Sequence, residues 1–509
     1  MKIFSGKQMK DWDAYTMQED GITDSELLAS ISATIGRYII DMHGDESRSF
    51  TVLCGSGNNG SIGIAIAKLL YAEDFEVDII WLKTTAPSGL FFHQLDSLPI
   101  DDSIKVLSVS EGDVFPDFEP DAVLIDAIYG TELNRSLKGY WADLVEFVNT
   151  LINTVVSIDM PSGMLSDFYT DGVSVYADEV ICLATPKLGY FMGSNLKRFD
   201  DIMYIPNEHS KAYEQNTETD NYITQKIEMG LYLKSRDKWM NKDDFGHALL
   251  VMGKEGMMGA AVLSSRACMR SGVGKCTVQV PACGRDVLQI SNPEAMVIVD
   301  INDKYITQNI DYEQFDAIGI GCGIGINNET ASVLSHIFSN ANKPLVVDAD
   351  ALNIIAKNQE LLSILPRGTI LTPHVKEFDR LFGNAPNDFV RLDTQKAKSR
   401  EYGIVIVLKC HNTSITDERG QTYFNTTGNV GMATAGAGDV LTGIICGLLA
   451  QGYAPNHAAL IGVFLHGMAG DIVQNKISAE AMIASDLIEN IHKAFDVIHI
   501  NDFEDLLPF

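Results

Sequence analysis

The chain has 509 residues, too long for one small module and, at about 150 residues per domain, enough for two or three domains. Hydrophobic residues make up 46% and charged residues 21%, so the composition supports large cores and excludes a disordered chain. Thirty-eight Lys and Arg against 68 Asp and Glu give a formal charge of −30, a field that repels polyphosphate backbones and anionic membrane surfaces.

Neither nucleic acid nor membrane is therefore an expected partner. A small anionic substrate would need local backbone amides or captured cations to overcome the field. The eight cysteines are scattered, without a CxxC pair or a Cys/His cluster at zinc spacing, and read as reduced thiols. The first residues carry acids and lack a continuous apolar stretch, and no run of 18 apolar residues occurs. A cytoplasmic protein is the expectation.

Taken in order, the strand-like runs 50–55, 121–127 and 154–159 alternate with helical stretches such as that after Ile62. This is the grammar of parallel βαβ units, in which each strand needs a long crossover before the chain returns to the sheet. A polar stretch, 207–241, then separates the halves, and strand character resumes at 247–253 and recurs at 276–281, 317–323, 344–350 and 403–409. The expected fold class is α/β with two domains, residues 1–215 and 225–509: a Rossmann-like doubly wound sheet, then a second α/β domain.

In the first half a strand runs into Gly55–Gly63, glycine-rich, and then a helix. Such a turn lets backbone amides approach an anion at a helix N-terminus, although it also serves as a plain tight turn. Asp126 and Asp159 close two later strands, and loops at C-terminal strand ends can converge on one crevice. Gly57-Asn58-Asn59-Gly60, the run Asp126 to Arg135, the run Ser157 to Gly163 and Thr185-Pro186-Lys187-Leu188-Gly189 together resemble the N-terminal epimerase domain of the bifunctional NAD(P)H-hydrate repair enzymes. The likeness spans almost all of residues 1–206. It implies a potassium ion held by Asn59, Asp126 and Ser162. It implies substrate contacts at Asn58, Asn59, Gly60, Ser61 and Ile62, and at Gly130, Thr131, Glu132, Leu133, Asn134, Arg135 and Ser136. Asp159 is the acid/base candidate. Two positions depart from the family pattern: Ile62 stands where a carboxylate is usual, and Glu132 where a glycine is usual.

In the second half Ala435-Gly436-Ala437-Gly438-Asp439 opens an apolar helix expected to begin near Val440. Amides of such a turn stabilise charge on a transferring phosphoryl group, and an adjacent carboxylate can take a proton from an attacking hydroxyl. Alone, Asp439 in such a turn is better read as only complementing the helix dipole. The ordered series 241–253, 256–278, 317–325, 344–353, 371–381, 407–415 and 465–471 resembles the ribokinase-like NAD(P)H-hydrate dehydratase domain over residues 230–509. The resemblance implies Asp439 as catalytic base and Gly438 with Lys409, Cys410, His411, Asn412 and Thr413 as nucleotide contacts. It further implies Ala261, Gly323 and His374 as contacts to the hydrate. Asp348 and Asp350 fit either magnesium near phosphates or a helix cap, and His466 reads as a buried histidine bonded to backbone.

The function so implied is metabolite repair, an isomerase joined to a lyase. The first domain interconverts R and S hydrates of NADH and NADPH. The second dehydrates the S form using ADP, with ATP the alternative, and magnesium. The rival readings are a ribokinase-like small-molecule kinase and a first domain that only binds nucleotide. A homo-oligomer is expected.

Overall fold

The computed structural model describes residues 1–45, 48–99, 103–205 and 209–499. The chain forms two compact units. One comprises Lys2–Thr219 with Asn387–Phe389; the other comprises Met1, Asp220–Pro386 and the described residues from Val390. The start of the polar stretch, residues 207 and 208, and the end of the second expected domain, 500–509, lie outside the described residues.

The first unit is built on seven parallel strands: β1 Phe50–Cys54, β2 Val77–Leu82, β3 Lys105–Val109, β4 Val123–Ala127, β5 Val155–Ile158, β6 Ala177–Leu183 and β7 Phe199–Ile205. Their order is β3-β2-β1-β4-β5-β6-β7. β1, β4 and β5 are buried at every residue, as expected for central strands covered on both faces. β1 pairs in parallel with β2 on one side and β4 on the other, so the chain order reverses there and a crevice opens beyond their C-terminal ends.

The second unit carries a ten-stranded sheet: β8 Asn221–Ile223, β9 His247–Val251, β10 Lys275–Val280, β11 Met296–Val299, β12 Ala317–Ile320, β13 Leu345–Val347, β14 Ile370–Leu371, β15 Val405–Leu408, β16 Thr413–Thr416 and β17 Thr422–Asn425. Their order is β11-β10-β9-β12-β13-β14-β15-β16-β17-β8, parallel except where β16 meets β15 and β17. Here the reversal lies between β9's neighbours β10 and β12. The polar stretch is more structured than its composition suggests, because β8 pairs with β17 at the sheet edge and Ile223 exchanges two backbone hydrogen bonds with Met1 on its other side.

The helix Ala437–Ala450 is apolar on nearly every side and buried between Met258–Arg270 and Pro455–Gln474. Ile444, Ile445, Leu448 and Leu449 are essentially inaccessible, each contributing about 1.5–3 kcal/mol of burial. This helix begins three residues before the expected start, because Gly436 at φ +91° serves as its N-cap and turns Ala437 and Gly438 into first-turn residues. All eight cysteines are free. Among the described residues no helix is long and apolar enough to cross a membrane.

Candidate functional site

Each unit gathers its chemistry at the C-terminal ends of its strands. In the first, β1 leads through Gly55–Gly57 into the helix Asn58–Ala72. A Cβ at Gly60 would lie 1.8 Å from the Gly55 carbonyl oxygen, so only glycine allows the first helical turn to fold onto the strand end. Asn59 then ties three loops together, its Nδ2 donating to Tyr129 O at 2.9 Å and Ile158 O at 3.2 Å.

Asp126, fully buried at the end of β4, accepts from Ser157 Oγ and Ser162 N, each at 2.8 Å, and from Ser162 Oγ at 2.6 Å. Burial pushes its carboxyl above the usual range despite these bonds. Ser162 Oγ also accepts from Tyr129 N at 2.8 Å. Asp159 follows β5 at φ +67°, a left-handed conformation that is costly for a non-glycine residue and is often found at functional sites. Its carboxylate is ion-paired with Lys187 Nζ and accepts from Thr131 N at 3.2 Å, while its carbonyl accepts from Tyr190 Oη. Burial works against the Lys187 charge, yet Asp159 and Cys182 hold the ammonium above its ordinary value. A cavity of about 830 Å³ opens over these groups.

In the second unit, Asp348 follows β13 and caps the helix Ala349–Lys357 through Ala349 N. Its other contacts are Lys409 Nζ and Thr442 Oγ1, each at 2.8 Å, so both carboxylate oxygens are engaged. His374 follows β14 and caps Val375–Phe382, with Nδ1 accepting from Lys376 N at 3.1 Å and Glu377 N at 3.3 Å. That leaves the exposed Nε2 edge of the ring 3.6 Å from the Glu377 carboxylate.

A backbone bridge sets His374 beside Lys409. A Cβ at Gly438 would lie 3.3 Å from Lys409 Nζ and 3.6 Å from Asp348 Oδ2, so the glycine turn, the ammonium and the buried acid form one cluster. Asp439 stands in the first helical turn, and its carboxyl is pushed up to about 6. Burial is the main cause, the Asp348 charge adds to it, and the Cys322 thiol and Lys409 oppose it. Burial also pushes the His466 imidazole, set against the backbone of Ala437, down to about 4. The described residues offer its Nε2 no hydrogen-bond partner.

Comparison with known proteins now bears on these clusters. The family described as NAD(P)H-hydrate dehydratase matches residues 248–493, and that described as YjeF-related protein N-terminus matches 25–189. The bifunctional NAD(P)H-hydrate repair enzyme Nnr of Thermosynechococcus vestitus is 30% identical over 463 residues, covering 86% of each chain. The chain belongs to the bifunctional NAD(P)H-hydrate repair enzyme family. The Thermofilum pendens member is 28% identical over 534 residues, covering 100% of this chain and 98% of its own. An ADP/ATP-dependent NAD(P)H-hydrate dehydratase from Bacillus subtilis, crystallised with ATP/Mg²⁺, is 30% identical, with 54% of this chain and 98% of that one covered at a TM-score of 0.49.

Within this repair-enzyme chain the expected residues divide by position. Asn58, Asn59, Ile62, Asp159 and the whole run Gly130–Ser136 line the first cavity. Gly60, Ser61, Asp126 and Ser162 are buried and do not line it, Ser61 Oγ donating to Gly57 O at 3.1 Å. Ile62 joins the apolar core as well as the cavity wall. Glu132 pairs at 3.6 Å with Lys10, which also lines the cavity, an exposed pair of little energetic weight.

In the second unit Asp439, Gly438 and Lys409 come together, with His374 bridged to Lys409. Cys410, His411 and Asn412 lie in the turn between β15 and β16, and Thr413 opens β16, its Oγ1 donating to Cys410 O at 3.2 Å. Ala261 is buried in Met258–Arg270, and Gly323 takes φ +65° in the turn after β12. Lys187 stands in the Thr185–Gly189 motif, yet sequence reasoning gave it no role. Its signal is a lysine immediately after a strand end in a family motif, and only the fold shows that it is fully buried against Asp159.

Proposed function

We propose that the first unit interconverts R and S NAD(P)H hydrates around Asp159, and that the second dehydrates the S hydrate with Asp439 as base. The observation that carries this is Asp439, raised to about 6 beside Lys409 and the glycine turn. At neutral pH it is largely ionised yet basic enough to take a proton from the hydrate's hydroxyl. The freed oxygen attacks the terminal phosphoryl of ADP, or of ATP in its place. Amides at the start of Ala437–Ala450 and the Lys409 ammonium stabilise the growing charge. Phosphate then departs with push from the ring nitrogen, and loss of a proton from the adjacent ring carbon to solvent restores NADH or NADPH, with AMP released from ADP. His374, Gly323 and Ala261 contact the hydrate in this reading, and Lys409–Thr413 with Gly438 the nucleotide.

Magnesium would enter with the nucleotide phosphates, since the three hydrogen bonds to Asp348 leave it a poor primary ligand. Asn59, Asp126, Ser162 and the Tyr129 carbonyl provide an oxygen-only set that suits potassium, which would offset negative charge near the substrate diphosphate. We assign the two activities to domains 1–215 and 225–509 of a cytoplasmic homo-oligomer.

The test supplies separated R and S hydrates with ADP and magnesium and follows the recovery of reduced-nicotinamide absorbance. S alone should recover through the second unit, and R faster than its spontaneous epimerisation through the first. Replacing potassium by tetramethylammonium should slow only recovery from R. Phosphate retained on the product would refute the dehydratase in favour of a kinase.

A further inference from the structure

Inverting the hydroxyl-bearing carbon of the hydrate calls for two proton-transfer groups. The hydroxyl leaves with an added proton as water while the ring nitrogen forms a double bond to the carbon. Water then adds from the other face and gives up a proton. Asp159 accounts for one group.

We propose that Asp13, held by His209, is the other. This rests on the epimerase reading above. Asp13, His209 and Asp159 line the same cavity of about 830 Å³. Asp13 comes from the helix Gly6–Asp20 and His209 from the segment after β7, elements distinct from the strand end that carries Asp159. His209 Nε2 lies 2.7 Å from Asp13 Oδ1, with the imidazole 3% exposed and the carboxylate 46% exposed.

The imidazole is fixed from several sides. The Trp12 ring lies 5.1 Å from it, Trp12 Nε1 donates to Ser210 O at 2.8 Å, and Ser210 N donates to Thr16 Oγ1 at 3.0 Å. An accessible carboxylate bonded to a buried, immobilised imidazole is oriented for proton transfer to a bound molecule rather than for packing. The charged groups lining the same cavity are Lys10 on its own helix, Glu132, Arg135 and Lys138 after β4, Asp171, and Asp159 with its partner Lys187.

In one direction the Asp13–His209 pair donates to the departing hydroxyl and Asp159 accepts from the incoming water; in the other the roles exchange. Protons and the oxygen balance with solvent, and nothing is oxidised or reduced. Asp13 is the catalytic member and His209 a positioning residue.

The experiment uses the full chain without ADP, so that the dehydratase is idle. It follows the approach of pure R hydrate to the R/S mixture by chromatography in H₂¹⁸O. Asp13→Asn should lower kcat by about 100-fold or more with little change in KM. His209→Gln should lower it less and displace the pH profile. Each inversion should introduce one solvent oxygen. Both variants should dehydrate S hydrate with ADP at the parent rate, which shows the second unit untouched, and the first unit should unfold with the parent's transition, which controls for its folding. Asp13→Asn within twofold of the parent, or inversion with retention of the original oxygen, would overturn the assignment. A parent no faster than the spontaneous rate would overturn the epimerase reading itself and this assignment with it.

Discussion

Replacing Asp439 by Asn should make the second unit inactive and more stable at once. Its carboxyl is displaced from an ordinary 3.8 to about 6, mainly by burial. A displacement of that size is worth about 3 kcal/mol, which the folded state loses when the group ionises. A raised folded value means that the cost is absent below the unfolded value near 3.8 and complete above about 6. Asn carries no such cost, so Asp439→Asn should gain about 3 kcal/mol at pH 8 and about half of that at pH 5. The gain should read as an unfolding transition for this unit several degrees higher at pH 8 than the parent's. Dehydration of S hydrate should fall by at least about 100-fold at both pH values. Thermal unfolding at the two pH values, with single-turnover kinetics on the same samples, is the assay. A variant no more stable than the parent at pH 8, or one that gains equally at both, would refute the buried-base argument.

Asp159→Asn leaves the fully buried Lys187 without its counter-charge and should destabilise the first unit by about 3–5 kcal/mol, read by denaturant unfolding. Gly60→Ala places a methyl 1.8 Å from Gly55 O and should cost about 1–3 kcal/mol together with most epimerase activity, measured by melting and by recovery from R hydrate. Lys409→Met removes a cation that lowers the Asp439 value. The acid limb of the dehydratase pH profile should therefore move upward from about 6 and the KM for ADP should rise.

Several parts of the site were readable along the chain because they are local. The glycine turn at Gly55–Gly63, the acids ending β4 and β5, and the turn before Asp439 each join a strand or loop to a helix within a few residues. Asp348 illustrates the opposite case. As a sequence feature it fitted a cap or a magnesium ligand, and it does cap its helix. Yet it also binds Lys409, 61 residues away, and Thr442, 94 residues away. His209 meets Asp13 across 196 residues. The polar segment before β9 read as a boundary because an edge strand needs little hydrophobic signal, and β8 is three residues long.

The sequence by itself determined the α/β alternation, the family and the backbone turns that suit phosphate and nucleotide, because hydrophobic period and glycine placement act over short stretches. Tertiary structure alone decided which charges face one another and how deeply. It buried Lys187 against Asp159, raised Asp439 to about 6, paired Glu132 with Lys10 and set His209 behind Asp13. Charge interactions and desolvation depend on distance and on exclusion of water, and both arise only when remote strand ends meet at the same edge of a sheet.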